Sequence, residues 1–375
     1  MSEYQYYEFQ AIDRPLGDTD RRALRELSSR ARITATSFTN SYEWGDFKGD
    51  PDELMERWFD LHLYLANWGS RRLMMKLPTR LVDRDRLGAF LGNNDCSMFR
   101  IVGGNVILSI WREELEPGDW DDGESWLAIL SQLRTDVLAG DLRLFYLIWL
   151  MDVEAEAIEP GETEPLPGIG PLTDALAAFA EFFCIDQNLL RAAAERSAAT
   201  DEALPEMPGR VIGAMSDAEK SNLLVRVFNG EPHVSAELRA LVRSRSEPRM
   251  ATSPVAPRTA ADLLTRAREI RLARERAEAE LAEARRRLEA EAAEKAREVR
   301  LEDIRRRGES VWTDIEDEIG RRNPAGYGKA AALLADLLAL AEKQDTVEMF
   351  RFRLQAIRER HAGKARFIER LGLLG

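Results

Sequence analysis

The chain has 375 residues, 45% of them apolar, which is enough for two or three domains each with its own core. Its longest purely apolar stretch, Leu144 to Met151, is far shorter than the roughly 20 residues a membrane-crossing helix needs, and Cys96 and Cys184 are too few for a disulfide framework. The net charge of −13 is uneven: residues 258–310 carry 15 basic and 13 acidic side chains and residues 311–375 carry 11 and 10, leaving −16 on residues 1–257, a balance that repels phosphate backbones.

The opening Glu3-Tyr4-Gln5-Tyr6-Tyr7-Glu8-Phe9-Gln10-Ala11-Ile12 has no basic start and no apolar leader, which predicts a cytoplasmic protein. Its aromatic, partly alternating pattern predicts a strand. Asp18 or Thr19 then caps a helix with Ala23, Leu24 and Leu27 apolar, and Ile33 to Thr39 predicts a second strand. Leu54, Trp58, Leu61, Leu65 and Trp68, three or four apart, predict an amphipathic helix from Pro51 to about Trp68. Arg72 to Leu77 predicts a strand ending at Pro78. Ser97 to Val102, a tight Gly103-Gly104-Asn105 turn and Val106 to Trp111 predict a hairpin. Helices follow over Trp126–Leu138 and Asp141–Met151, joined at Gly140. Residues 1–155 are therefore expected to form an α+β domain with a mostly antiparallel sheet.

The acidic stretch from Glu154 to Pro171, with its prolines and glycines, predicts a linker. A helical subdomain over residues 172–244 comes next: a helix near Leu172–Ala193, a Pro-containing loop, a helix opened by the capping box Ser216-Asp217-Ala218-Glu219, and another near Ser235–Arg243. Arg245 to Arg258 is rich in Ser, Pro and Arg and predicts a flexible joint. From Thr259 to about Arg307 the chain has no Gly and no Pro and is dominated by Ala, Leu, Glu and Arg, which predicts one long charged helix over residues 259–308, roughly 75 Å in length. Ile270, Leu281 and Ala292 recur every eleven residues, as do Ala277, Leu288 and Val299, a period that gives a nearly straight or slightly right-handed association. Mostly alanine at those positions makes any homodimer through this helix weak; spacer, dimer and folding back on the body all remain open. Residues 311–375 predict a compact helical module, with helices over Val311–Ile319, Tyr327–Ala341, Thr346 to about His361, and a short one through Phe367 and Leu371.

No catalytic, cofactor or metal motif emerges. His62, His233 and His361 fall in different segments and no Cys-x-x-Cys exists, so a structural zinc site is not expected. His62 reads as a partly exposed helix residue near Glu56 and Asp60, and His233 as a loop residue. The loop from Asp119 to Ser125 lacks the carboxylate rhythm of a calcium site and reads as acidic residues at a helix start. Gly168-Ile169-Gly170 lacks the Lys and Ser or Thr of a phosphate loop, and no Gly-x-Ser-x-Gly elbow is present. Tyr6, Tyr7, Tyr42 and Trp44 are the candidate partner-binding patch on the body. Arg351, Arg353, Arg358, Arg360, Lys364 and Arg366 are the candidate basic face of the tail, suited to an acidic partner or to phosphates.

The tail pattern Tyr327, Ala330, Leu333, Leu334, Leu337, Leu338, Ala341, followed by Phe350, Phe352, Leu354, Ile357 and His361, is similar to the helical tail of bacterial SWIM zinc-finger proteins over about 60 residues. The metal-binding cysteines and histidine of that family have no counterpart here, so the resemblance implies a docking role and no zinc-dependent DNA binding. The opening from Tyr6 through Leu16, with Tyr42-Glu43-Trp44-Gly45-Asp46, resembles an uncharacterised bacterial family, which implies a bacterial cytoplasmic origin and supplies no activity. The expected function is that of a non-enzymatic adaptor with a protein partner and no membrane partner. The alternatives are a nucleic-acid accessory protein acting through the C-terminal module, and an enzyme with a site in the N-terminal domain.

Overall fold

A computed structural model describes residues 3–82, 88, 90, 96–116, 121–196, 207–245 and 256–372; the chain has an α+β fold, and the described residues form one seven-stranded antiparallel sheet and 14 α-helices. It divides into two units, Met1–Ala273 and Arg274–Gly375. The sheet order is β2-β3-β1-β4-β5-β7-β6, built from β1 (Gln5–Gln10), β2 (Arg32–Ile33), β3 (Ser37–Tyr42), β4 (Leu61–Ala66), β5 (Arg71–Pro78), β6 (Ser97–Val102) and β7 (Asn105–Arg112). Because successive side chains of a strand point to opposite faces, the sheet separates two cores. Leu61, Leu63, Leu65, Leu73, Met75, Leu108 and Ile110 face α3 (Trp126–Leu138), α4 (Arg143–Glu154), α5 (Asp174–Phe182) and α6 (Gln187–Ala194). Tyr7, Phe9, Phe38, Met74 and Ile107 face α1 (Asp18–Leu27) and α2 (Pro51–Arg57).

Several local expectations are corrected. The helix expected over residues 51–68 ends at Arg57, and β4 begins at Leu61. Leu54, Trp58, Leu61 and Leu65 satisfy a helical spacing, but Leu61, Leu63 and Leu65 also satisfy the strand period. β4 is central and covered on both faces, and the alternation of Leu61, Leu63 and Leu65 with His62 and Tyr64 is too short to stand out against the helical spacing. His62 accordingly lies in a strand, wholly buried, its ring stacked 3.9 Å from that of Phe9 with Nδ1 3.0 Å from the Glu8 carbonyl. Burial pushes its pKa down to about 3, so the imidazole is neutral. The strand expected over Ile33–Thr39 is broken by a turn between β2 and β3, where Thr34 N–H bonds the Ser37 carbonyl. Helix α1 is capped by Gly17, one residue earlier than expected, with the Asp20 carboxylate accepting the Gly17 N–H at 3.0 Å. The hairpin stands as expected: Val102 pairs with Asn105, and Gly103 and Gly104 supply the positive φ its two-residue loop requires.

The helix expected over Leu172–Ala193 is two helices. Cys184 has a positive φ, and the Asp186 carboxylate caps α6 by accepting the N–H groups of Asn188 and Leu189. Residues 154–171 do not separate the body from the helices that follow. Ile169 is buried, and Ile158 and Leu166 pack on the same core as the sheet. Within this segment the Glu164 side chain is fully buried, accepting a fork from Arg258 (2.7 and 3.1 Å), the Tyr146 hydroxyl (2.6 Å) and the Arg258 backbone N–H (3.0 Å). Arg258 also donates to the carbonyls of Ala192 and Ala193. The flexible joint expected over Arg245–Arg258 falls largely outside the described residues, but its final residue is thus held by two segments. Burial alone would raise the Glu164 pKa; the bonds from Arg258 and Tyr146 outweigh it and hold the carboxyl below its usual range.

Helix α7 (Met207–Ala214) occupies the expected Pro-containing loop, with Pro208 tolerated in its first turn. Helix α8 (Asp217–Phe228) starts at the expected capping box: Ser216 Oγ accepts the Glu219 N–H at 3.2 Å, and Glu219 accepts the Ser216 N–H at 2.8 Å. Ser216→Ala is expected to cost about 1 kcal/mol of helix stability, read as faster amide exchange confined to the first turns of α8. Helix α9 is Val234–Arg245.

The long helix forms as one continuous element, α10 (Ala260–Arg307), whose residues are assigned to the two units on either side of Ala273. Its first turns belong to the first unit, with Ala260, Leu263 and Ala267 buried there. In the second unit, Leu301 and Ile304 pack with α11 (Ser310–Gly320), α12 (Pro324–Lys343), α13 (Val347–Arg360) and α14 (Ala365–Leu371) around Val311, Ile315, Ile319, Leu334, Leu354, Ile357 and Phe367. Between these ends, residues 271–300 are exposed throughout.

Candidate interaction surfaces

The four aromatic residues expected to form a patch are not brought together. Tyr6 points into the core beneath α3, its hydroxyl donating to Glu8 at 3.0 Å; burial, with the Glu8 carboxylate beside it, pushes the phenol pKa up. Tyr7 points to the opposite face, donating to Gln5 Oε1 at 2.7 Å and meeting the Tyr42 ring edge-on at 6.0 Å. Tyr42 is half-buried and accepts the Asn40 amide at 2.6 Å. Only Trp44 stands on the surface.

The basic tail residues are largely engaged inside their own module. Arg353 donates to Glu309 at 2.8 Å and lies over the Trp312 ring, and Arg360 and His361 both meet Glu316. Arg358 donates to the Leu371 carbonyl and Lys364 to the Ile319 carbonyl, while Arg351 pairs with Glu348 one turn away. Arg366 is exposed. The arginines that looked like a phosphate-gripping face therefore serve to hold α11, α13 and α14 together. Beside Arg353 an open groove of about 320 Å³ is lined by Trp312, Leu337, Leu340, Met349 and Phe350.

Among the described residues an exposed apolar helix face lies elsewhere on the first unit, on α8. This helix buries none of its residues; Leu224, Val225, Val227 and Phe228 are 69%, 56%, 59% and 91% exposed. Leu224, Val227 and Phe228, at i, i+3 and i+4, share one face. The signal was present in the run Leu223-Leu224-Val225-Arg226-Val227-Phe228, five apolar residues of six, but such a run reads as core unless its neighbours reveal nothing to cover it.

The mounting of α8 and α9 is well defined. Arg226 pairs with Glu231 and Glu237, both at 2.7 Å, and Glu237 also takes Arg80 at 2.7 Å from the end of β5. Between the two helices His233 adopts a positive φ and sets Nε2 2.8 Å from Asp13 Oδ2. Asp13 is held from the other side by a two-pronged bond from Arg134 (2.9 and 2.6 Å), whose Nε donates to the Lys76 carbonyl. Burial opposes ionisation of Asp13, but the bonds from His233 and Arg134 prevail and bring its pKa down to about 2. With every polar atom of Arg134 directed at these partners, the cluster is a lock that ties the helix pair to the sheet.

Among the described residues no group of three or more His, Cys, Asp or Glu side chains is placed to hold a metal ion, and no helix is long and apolar enough to cross a membrane. No protein-family model matches the chain, and no curated protein or solved structure matches it either.

Proposed function

We propose that the chain is a non-enzymatic protein–protein interaction protein of the bacterial cytoplasm, and that α8 is its docking element. The observation that carries this reading is the exposed Leu224, Val227 and Phe228 face on a capped helix fixed by ion pairs. A folded chain seldom leaves a contiguous apolar helix face in water without a use for it. A face with anchors at i, i+3 and i+4 suits a partner's apolar groove. Residues 1–257 carry −16, so a partner with a basic rim around its groove is the complementary one.

The test is affinity capture with the full-length protein against the same chain carrying Leu224→Asp and Phe228→Asp, both with and without nuclease. Since neither side chain is buried, the variant keeps its far-ultraviolet circular dichroism. The expected result is a protein partner that survives nuclease and binds the variant at least about thirtyfold more weakly, as loss of a central anchor of about 2 kcal/mol requires. Equal capture by both forms overturns the assignment to α8. Capture that vanishes with nuclease overturns the adaptor reading in favour of nucleic acid.

A further inference from the structure

Within α10 the eleven-residue period extends beyond the apolar positions to the charges. Leu281-Ala282-Glu283-Ala284-Arg285-Arg286-Arg287-Leu288-Glu289-Ala290-Glu291 is one full repeat, and the preceding eleven residues match its arginines at 274 and 276 and its glutamates at 278 and 280. Eleven residues in three turns place Ala277, Leu281, Ala284, Leu288, Ala292 and Val299 in one narrow stripe, interrupted by Lys295 one repeat after Ala284. The stripe is unpartnered: Leu281, Leu288 and Val299 are 71%, 65% and 71% exposed. Ile304, which the C-terminal bundle covers, lies more than a third of a turn round the helix, so the bundle leaves the stripe open.

The two borders of the stripe carry opposite charge. On one side stand Arg274 and Arg285; on the other stand Glu280, Glu291 and Glu302. In a parallel pair of helices related by a twofold axis, each border faces the opposite border of the other copy, so arginine meets glutamate on both sides. In an antiparallel pair each border faces itself, so arginine meets arginine and glutamate meets glutamate. Charges beside a helix seam set partner choice and orientation in this way.

We infer that residues 274–302 of α10 are a parallel, in-register dimerisation seam whose occupant is a second copy of this chain. The pairing is independent of docking through α8, and either can fail alone. The alanines let the helices approach closely while contributing little burial, so the dimer dissociates on dilution.

Sedimentation of the full-length protein tests it. The wild type is expected at twice the monomer mass at high concentration, and Leu281→Glu with Leu288→Glu as monomer. Arg274→Glu with Arg285→Glu makes both borders acidic and is expected to give monomer. Adding Glu280→Arg and Glu291→Arg to that same chain restores opposite borders and is expected to restore the dimer. Orientation is read from two single-cysteine probes, Leu281→Cys and Val299→Cys, each in a Cys96→Ser and Cys184→Ser background under mild oxidation. Parallel in-register pairing cross-links both to themselves, whereas antiparallel pairing can align only one. A wild type that stays monomeric, a dimer indifferent to these substitutions, or cross-linking at only one position overturns the inference. All the substituted side chains on α10 are exposed, and unchanged helix content by circular dichroism shows that each variant folds.

Discussion

Glu164→Ala is expected to lower the stability of the first unit by about 3–5 kcal/mol, the usual consequence of removing one partner from a buried ion pair. The cost arises from what is left behind. Arg258 stays buried with its fork unanswered, the Tyr146 hydroxyl loses its acceptor, and the Arg258 N–H loses one too. Tyr146→Phe, which removes one hydrogen bond and leaves the pair intact, is expected to cost about 1 kcal/mol. Urea unfolding followed by tryptophan fluorescence, which reports Trp126 and Trp149 of this core, separates the two. A loss below about 1 kcal/mol for Glu164→Ala would show that the carboxylate is not the centre of the network. Because folding lowers the Glu164 pKa, its contribution is full above the ordinary carboxyl range and is lost as pH falls through the folded value. Acid should therefore release the start of α10 from the body.

Arg134→Met is the second large effect, about 3 kcal/mol. Methionine fills most of the space, so the loss is chiefly that of the bond to Asp13 and of the donor to the Lys76 carbonyl. The acid limb of the stability curve is the diagnostic. The folded Asp13 carboxyl titrates at about 2 against 3.8 ordinarily, so it contributes roughly 2 kcal/mol, present above pH of about 4 and lost between about 4 and 2. In Arg134→Met that part of the curve should flatten, since His233 alone cannot hold the carboxyl so low. An acid limb of unchanged slope in the variant would rule out Arg134 as its source.

The elements that the sequence revealed share a physical trait: their signals are local. The Gly103-Gly104 turn, the Ser216–Glu219 capping box and the unbroken charged run of α10 each fix their structure within a few residues, and each formed where expected. Where a signal depends on what covers the element, the reading failed. β4 carries a helical spacing because its two faces are buried against different partners, and the 154–171 segment has a linker's composition because Ile158, Leu166 and Ile169 enter the core singly. The exposed apolar face of α8 escapes notice for the same reason. Tyr6 and Tyr7 have the composition of an interface but fill two cores, while the run ending at Phe228 has the composition of a core but stands in water. Nothing in either stretch alone distinguishes the cases. The tail arginines were found by count, yet their acceptors, Glu309, Glu316 and the Ile319 and Leu371 carbonyls, come from elements that only the fold brings near.

The sheet ends differently at its two margins, and both endings limit what a neighbouring molecule can add. On one margin β2 is only two residues long, too short a template for another strand. On the other, β6 carries Arg100 at its middle, tied down by Asp52 at 2.9 Å and Glu56 at 2.8 Å, a fixed charge beside the unpaired backbone and between the exposed Met98 and Ile101. Strand-by-strand growth into fibrils is disfavoured on both sides.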